Sequence, residues 1–257
     1  MSSRPVVLVT GAARRVGRTI ALDLAAHGYD LALHHRGHEA EVRETAAAAR
    51  EAGARAETFA ADLADEAATR ALVPALVQRM KRLDAVVNNA SIFEHDDAAG
   101  FGYARLAAHA TINAGAPIVL AQALFDHLHD GDRVGCVVNL LDQKLWNPNP
   151  DHLSYTLSKA ALQAATVALA QALAPRVRVC GVAPGVTLRS GDMTDAEFER
   201  AHRLTPLGRS STPQDIARAV RFMIESPAVT GTTLLVDGGQ HLSAQPRDVA
   251  FLVAPQD

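Results

Sequence analysis

Tyr155 and Lys159 stand four residues apart in Ser154-Tyr155-Thr156-Leu157-Ser158-Lys159-Ala160-Ala161, and Asp142 closes an apolar run thirteen residues upstream. If the segment is helical, the phenol and the ammonium leave one face about a turn apart, and a strand end can present the carboxyl opposite them. A phenol in water keeps its proton up to a pKa of about 10 and is a poor relay at neutral pH, but a nearby ammonium stabilises the phenolate. The three side chains outline a proton-delivery site.

The elements that must position them alternate along the chain. Val6-Val7-Leu8-Val9, 31–33, 85–87, 134–138 and 177–182 are short β-branched runs that read as parallel strands buried on both faces. Helical stretches at 15–27, the Ala-rich 39–52, 66–80, 104–128 and 153–173 lie between them, with stops at Gly28, Gly53 and Pro175. Further strands around 55–60 and 232–236 bring the sheet to about seven strands. The predicted class is α/β: one domain over residues 1–257, a doubly wound parallel sheet flanked by helices, binding ligands at the strand carboxyl ends. Residues 185–212, weakly periodic apart from a short helix near 194–203, read as a substrate lid after a strand end, with a plain surface excursion as the alternative.

The formal charge of −3, with acids and bases interspersed, gives no footprint for nucleic acid or an anionic membrane. No apolar stretch has the length of a membrane span and no signal-peptide core follows Met1, so a cytoplasmic protein is expected. Cys136 and Cys180 sit inside apolar runs without metal spacing and read as packed thiols. The eleven histidines do not gather at ligand spacing, so no metal is expected.

Thr10-Gly11-Ala12-Ala13-Arg14-Arg15-Val16-Gly17 follows the first strand and opens a helix, where backbone amides and the helix dipole can hold a pyrophosphate. Gly11 permits the tight turn and Gly17 the close approach of helix to strand, but the middle glycine of a G-x-G-x-x-G fingerprint is missing, so a merely structural turn is the competing reading. The second strand ends in Leu33-His34-His35-Arg36-Gly37, with no acid to accept from ribose hydroxyls. A guanidinium at Arg36, helped by Arg14, would pair with a 2′-phosphate, which points to NADP(H).

Taken together, these residues resemble the short-chain dehydrogenase/reductase family across nearly the whole chain. Thr10 through Gly17 is similar to the family's cofactor turn, Asp62-Leu63 to its adenine contact, Asn88-Asn89-Ala90-Ser91 to its NNAG segment and Asn113 to its helix asparagine. Tyr155 with Lys159 is similar to its YxxxK pair, Pro184-Gly185 to its PG turn and Val236-Asp237-Gly238-Gly239 to its closing motif. Two departures, Arg15 for the middle glycine and Asp142 where most members place a serine, occur in the pteridine reductases and their dihydromonapterin reductase relatives. The resemblance implies a Rossmann fold and an NADPH site built from Gly11, Arg14, Arg15, Val16, His35, Arg36, Asp62, Leu63, Asn89, Ala90, Ser91, Tyr155, Lys159, Pro184, Gly185 and Thr187. It implies pterin contacts at Arg15, Ser91, Phe93, Asp142, Trp146 and Tyr155, although the segment around Trp146 is only loosely similar and the tail 243–257 runs past the subgroup's usual end.

An ionised carboxyl facing a developing alkoxide would be repulsive, whereas a basic ring nitrogen suits a carboxyl partner. Reduction of a dihydropterin C=N bond therefore fits Asp142 better than reduction of a ketone, with Tyr155 protonating nitrogen, Asp142 assisting and a relay through Lys159, Asn113 and water. Dihydromonapterin, dihydrobiopterin and dihydrofolate are the expected substrates. A carbonyl or alcohol oxidoreductase, or a silent NADP(H)-binding protein, are the alternatives. Trp146 is expected either to wall the pocket or to pin its loop, and Phe93 either to stack on the substrate ring or to belong to the core. The family resemblance implies a homotetramer packed through 104–128 and 153–173, where Ala160, Ala161, Ala164, Ala165 and Ala168 permit close approach.

Overall fold

The computed structural model describes residues 4–129, 133–189 and 193–253; parts of the expected lid and tail, 190–192 and 254–257, lie outside the described residues. The elements run β1 (Val6–Val9), α1 (Arg15–Ala26), β2 (Asp30–His35), α2 (Glu39–Glu51), β3 (Ala56–Ala60), α3 (Glu66–Met80), β4 (Ala85–Asn88), α4 (Tyr103–Ala110), α5 (Ala116–His127), β5 (Gly135–Leu140), α6 (Leu153–Ala172), β6 (Val177–Pro184), α7 (Asp195–Arg203), α8 (Pro213–Glu225), β7 (Thr233–Val236) and α9 (Val249–Val253).

The strands form one seven-stranded sheet in the order β3-β2-β1-β4-β5-β6-β7, with every pairing parallel. β1, β2, β4 and β5 are buried along their whole length, which is why they lack the alternation of a half-exposed strand. Ile20, Leu24, Val42, Ile216 and Val220 fill one face of the sheet, and Leu72, Leu76, Leu120, Leu124 and Ala170 the other. The strand order reverses between β1 and β4, so their carboxyl ends open a crevice at that switch point.

Two features depart from the expected elements. The stretch 104–128 is interrupted by a π-helical turn at Thr111–Gly115, which buries Ile112, Asn113 and Ala114. Its wider turn re-aims Asn113, an effect that a hydrophobic period does not encode. The tail, in turn, carries α9, which packs through Val249 and Val253 against Ala201 of α7, Val186 and Met193.

Close packing is tightest where α1 leaves β1. A methyl added at Gly17 would lie 2.2 Å from Gly11 O and 2.6 Å from Asn89 Nδ2, so the helix start could not approach the turn with any side chain there. Gly17→Ala is expected to lower the unfolding free energy by about 2 kcal/mol or more. A urea midpoint equal to that of the wild type would refute this account of the turn.

Candidate active site

At the switch point a cleft of ≈ 370 Å³ is lined by Gly11, Arg14, Arg15, Val16, Gly17, His35, Arg36, Asp62, Leu63, Asn89, Ala90 and Ser91, among others. Arg14, the N-cap of α1, supplies no side-chain cap, so the first-turn amides are left to a ligand in the cleft. Thr10 ties the two loops beneath it: its Oγ1 accepts from Asn89 N at 2.9 Å and Ala90 N at 3.0 Å, while Asn89 Nδ2 donates to Thr10 O at 2.8 Å. Arg14, Arg15 and Arg36 make the cleft cationic, and Arg36 Nη1 lies 3.6 Å from Asp62 Oδ1 with its side chain largely exposed. Free helix-start amides at one end and an exposed guanidinium just past β2 fit a dinucleotide carrying a ribose phosphate.

His34 supports this turn from below. Gly11 N–H donates to His34 Nδ1 at 3.2 Å, which places the ring proton on Nε2, facing Ala61 O at 3.1 Å. Burial pushes its pKa down to about 4, so the ring stays neutral near neutral pH.

A second cavity, ≈ 590 Å³, adjoins the first and is lined by Phe93, Asp142, Lys144, His152, Gly185, Thr187, Glu197, Asp248 and Phe251, among others. Tyr155 Oη donates to Asp142 Oδ2 at 2.8 Å, and Asp142 Oδ1 accepts from Lys144 N at 2.8 Å. Burial holds the Asp142 carboxyl above the usual carboxylate range. Burial also pushes the Tyr155 phenol well above 10, with the Asp142 charge adding to it. Lys159 Nζ donates to Leu140 O at 2.7 Å and lies 5.7 Å from the centre of the Tyr155 ring; burial brings its pKa down to about 8. The expected stabilisation of phenolate by Lys159 is thus corrected: the nearest charge to the phenol is a carboxylate, which keeps the proton on oxygen.

Helix α6 is held in register by its surroundings. Its N-cap, His152, has φ 55° and no capping side chain, and Asp96 takes over by accepting Ser154 N at 3.0 Å and bonding Ser154 Oγ. Asn113 donates to Ile92 O and to Ser158 Oγ, each at 3.0 Å, and accepts from Ile92 N at 2.9 Å and Ser91 Oγ at 3.1 Å. The asparagine therefore clamps the loop after β4 to α6, while Lys159 bonds elsewhere.

Phe93 is 46% exposed, meets Tyr155 edge-on at 4.7 Å and stacks on His152 at 4.1 Å; it is a cavity wall and not a core residue. Arg15, at φ 55°, reaches Arg189 O at 2.9 Å and links the cofactor turn to the loop after β6. Pro184 ends β6, and the following Gly185 and Thr187 line the second cavity. Of the two roles expected for Trp146, walling the pocket is not the one it takes. It packs with Leu145 against Leu141, Leu162, Ala114 and Ala183, and it is absent from the lining of the cavity, because the short helical turn Gln143–Leu145 directs it into that apolar cluster. Lys144, His152 and Asp248 were not singled out from sequence, and the tail residue Phe251 was not expected at the site. Among the described residues no group of three or more His, Cys, Asp or Glu could hold a metal, and no helix is long and apolar enough to cross a membrane.

A family model described as enoyl-(acyl carrier protein) reductase matches residues 11–241. The chain is 32% identical over 281 residues to pteridine reductase 1 of Leishmania tarentolae, covering 93% of this chain and 97% of that protein. It is 33% identical over 256 residues to a putative ketoacyl reductase 2 of granaticin polyketide synthase from Streptomyces violaceoruber, covering 93% and 96%. The structure of FolM alternative dihydrofolate reductase 1 from Brucella suis, in complex with NADP, superposes with a TM-score of 0.90 at 39% identity, covering 95% of this chain and 98% of that one.

The His34 geometry carries a pH signature. Its pKa lies below the unfolded value of 6.5, so its contribution to stability is complete above pH 6.5 and is lost as pH falls toward 4. Between pH 7 and pH 5 the wild type should lose about 2 kcal/mol more than His34→Gln, which keeps an acceptor and a donor but does not titrate. Parallel urea slopes for the two proteins over that window would contradict it.

Proposed function

The chain belongs to the short-chain dehydrogenase/reductase family, and we propose that it is an NADPH-dependent reductase of the C=N bond of a dihydropterin. The observation that carries this reading is the 2.8 Å hydrogen bond from the buried Tyr155 to Asp142, whose side chain lines the second cavity. Both Asp142 oxygens accept hydrogen bonds, from Tyr155 Oη and from Lys144 N, and an accepting carboxyl suits a ring nitrogen that gains a proton better than a ketone oxygen that becomes anionic.

The dinucleotide, when bound, supplies the hydride. The chain's residues do the rest. Gly11, the first-turn amides of α1, Arg14 and Arg36 would hold its phosphates, and Asp62, Leu63, Asn89 and Ala90 its adenosine and ribose side. Lys159, anchored on Leu140 O, would fix the nicotinamide ribose. Phe93 offers a flat apolar wall beside Tyr155 for a heteroaromatic ring, with Ser91 and Arg15 in the lining of the cleft. Tyr155 keeps its proton at neutral pH and can deliver it to the substrate nitrogen, and the Asp142 carboxyl shares and replaces that proton.

Carbonyl reduction is the second reading, since Tyr155 and Lys159 serve it equally and a ketoacyl reductase is among the relatives. The same proposal includes a cytoplasmic homotetramer packed through α5 and α6, whose Ile118, Leu157 and Val167 are exposed.

Asp142→Ser should lower kcat/KM for dihydrobiopterin by about 100-fold or more while leaving simple ketones within a few-fold. If ketones outpace pterins widely and the substitution is harmless, the pterin assignment fails. Separately, Arg36→Ala should raise KM for NADPH about tenfold and that for NADH little, as expected from loss of a guanidinium–phosphate pair. Equal effects on both cofactors would remove Arg36 from phosphate recognition.

A further inference from the structure

The chain's own tail forms part of the wall of the second cavity, and it brings a carboxylate with it. Asp248 lines that cavity with Asp142, Lys144, His152 and Glu197. Its backbone N–H donates to Asp151 Oδ2 at 2.6 Å, its Oδ1 accepts from Ala250 N at 3.2 Å, and its Oδ2 receives Lys144 Nζ at 3.4 Å. Asp151, buried at the foot of α6, is held through both oxygens by Arg247 Nε at 2.9 Å, and Lys144 Nζ also donates to Asp151 O at 2.5 Å. Farther on, Arg200 Nη2 donates to Val253 O at 2.6 Å, securing α9 to α7. The carboxylate of Asp248 is therefore placed by the fold.

The charges around it are unbalanced. Among the described residues lining the cavity, the acids are Asp142, Glu197 and Asp248, and the ammonium of Lys144 is already bonded to Asp151 O and Asp248. Burial pushes His152 below the ordinary imidazole value, so it adds no charge at neutral pH. Arg247 turns its guanidinium to Asp151 and over the Phe251 ring, 4.7 Å from its centre. An incoming anion would meet the carboxylates of Glu197 and Asp248, with the Lys144 ammonium already bonded and His95 Nε2 3.9 Å from Asp151 Oδ1, whereas a hydroxyl can donate to an Asp248 oxygen.

We propose that Asp248 is a specificity-determining residue, turning the outer part of the cavity against anionic substrate tails and toward uncharged, hydroxyl-bearing ones. The inference rests on the pterin reading for the ring and narrows it: a dihydropterin with a neutral polyol side chain is favoured over a folate bearing a glutamate.

The test uses the full chain saturated with NADPH, wild type and Asp248→Asn, with dihydrofolate and dihydrobiopterin as probes and acetoacetate with its ethyl ester as a second anionic and neutral pair. The expected result is an anionic-to-neutral ratio of kcat/KM that rises about 5- to 10-fold in the variant. The wild-type ratio should also rise as salt goes from roughly 20 to 200 mM, a readout that needs no variant. If pterins are not turned over but the ketone pair shows the shift, the pterin reading fails and the role of Asp248 stands. Ratios that stay within about twofold in the pair that reacts, with no salt dependence, overturn the proposal.

Discussion

A phenol donating to a buried carboxyl joins the end of β5 to the first turn of α6, and the surrounding structure exists to keep those two groups facing each other. Asp142 is fixed from the strand side by Lys144 N, and Tyr155 from the helix side by Asp96 at the helix start and by the Asn113–Ser158 contact one turn on. Moving either element by an ångström would break a 2.8 Å hydrogen bond in a place where water replaces it poorly. The chemical result is a site that stores a proton. Burial disfavours both anions; Asp142 raises the hold of Tyr155 on its proton, while the bond that Tyr155 donates partly offsets the effect of burial on Asp142.

Asp142 lines the second cavity with Tyr155 buried against it, and the character of the lining differs between that cavity and the cleft. On the side of β1 and β2 the cleft is cationic and rich in helix-start amides, suited to phosphates. On the side of α7 and α9 the cavity is acidic and aromatic. Arg15 reaches Arg189 O, so the turn that would hold the dinucleotide also touches the loop that lines the second cavity. His34 performs a related service beneath the turn, as a neutral ring that accepts from Gly11 and faces Ala61 O, in a position where a charged one would lose both its acceptor and its solvation.

The order of strands and helices was legible in the chain because parallel strands buried on both faces leave continuous β-branched runs, and the helices between them end at residues that stop helices. Tyr155, Lys159 and Asp142 were legible for a different reason: their spacing constrains geometry whatever the packing. Trp146 was not, since its direction depends on a single short turn after Asp142 and on the apolar cluster formed by Ala114, Leu162 and Ala183 from distant segments. The π turn at Thr111–Gly115 was equally hidden, because the contact of its Asn113 with the loop at Ile92 joins segments 21 residues apart.

By itself, then, the chain determined a doubly wound parallel sheet, a phosphate-binding turn without its middle glycine and a phenol one helical turn from an ammonium, all of which follow from local pattern and residue type. Tertiary structure decided what the phenol answers to. Lys159 turned to the Leu140 carbonyl and Asp142 took the Tyr155 proton as partner, while the tail folded back to bring Asp248 beside them. Those outcomes depend on which charges end up near one another after burial, and separation in space between residues far apart in the chain is a quantity that no local period records.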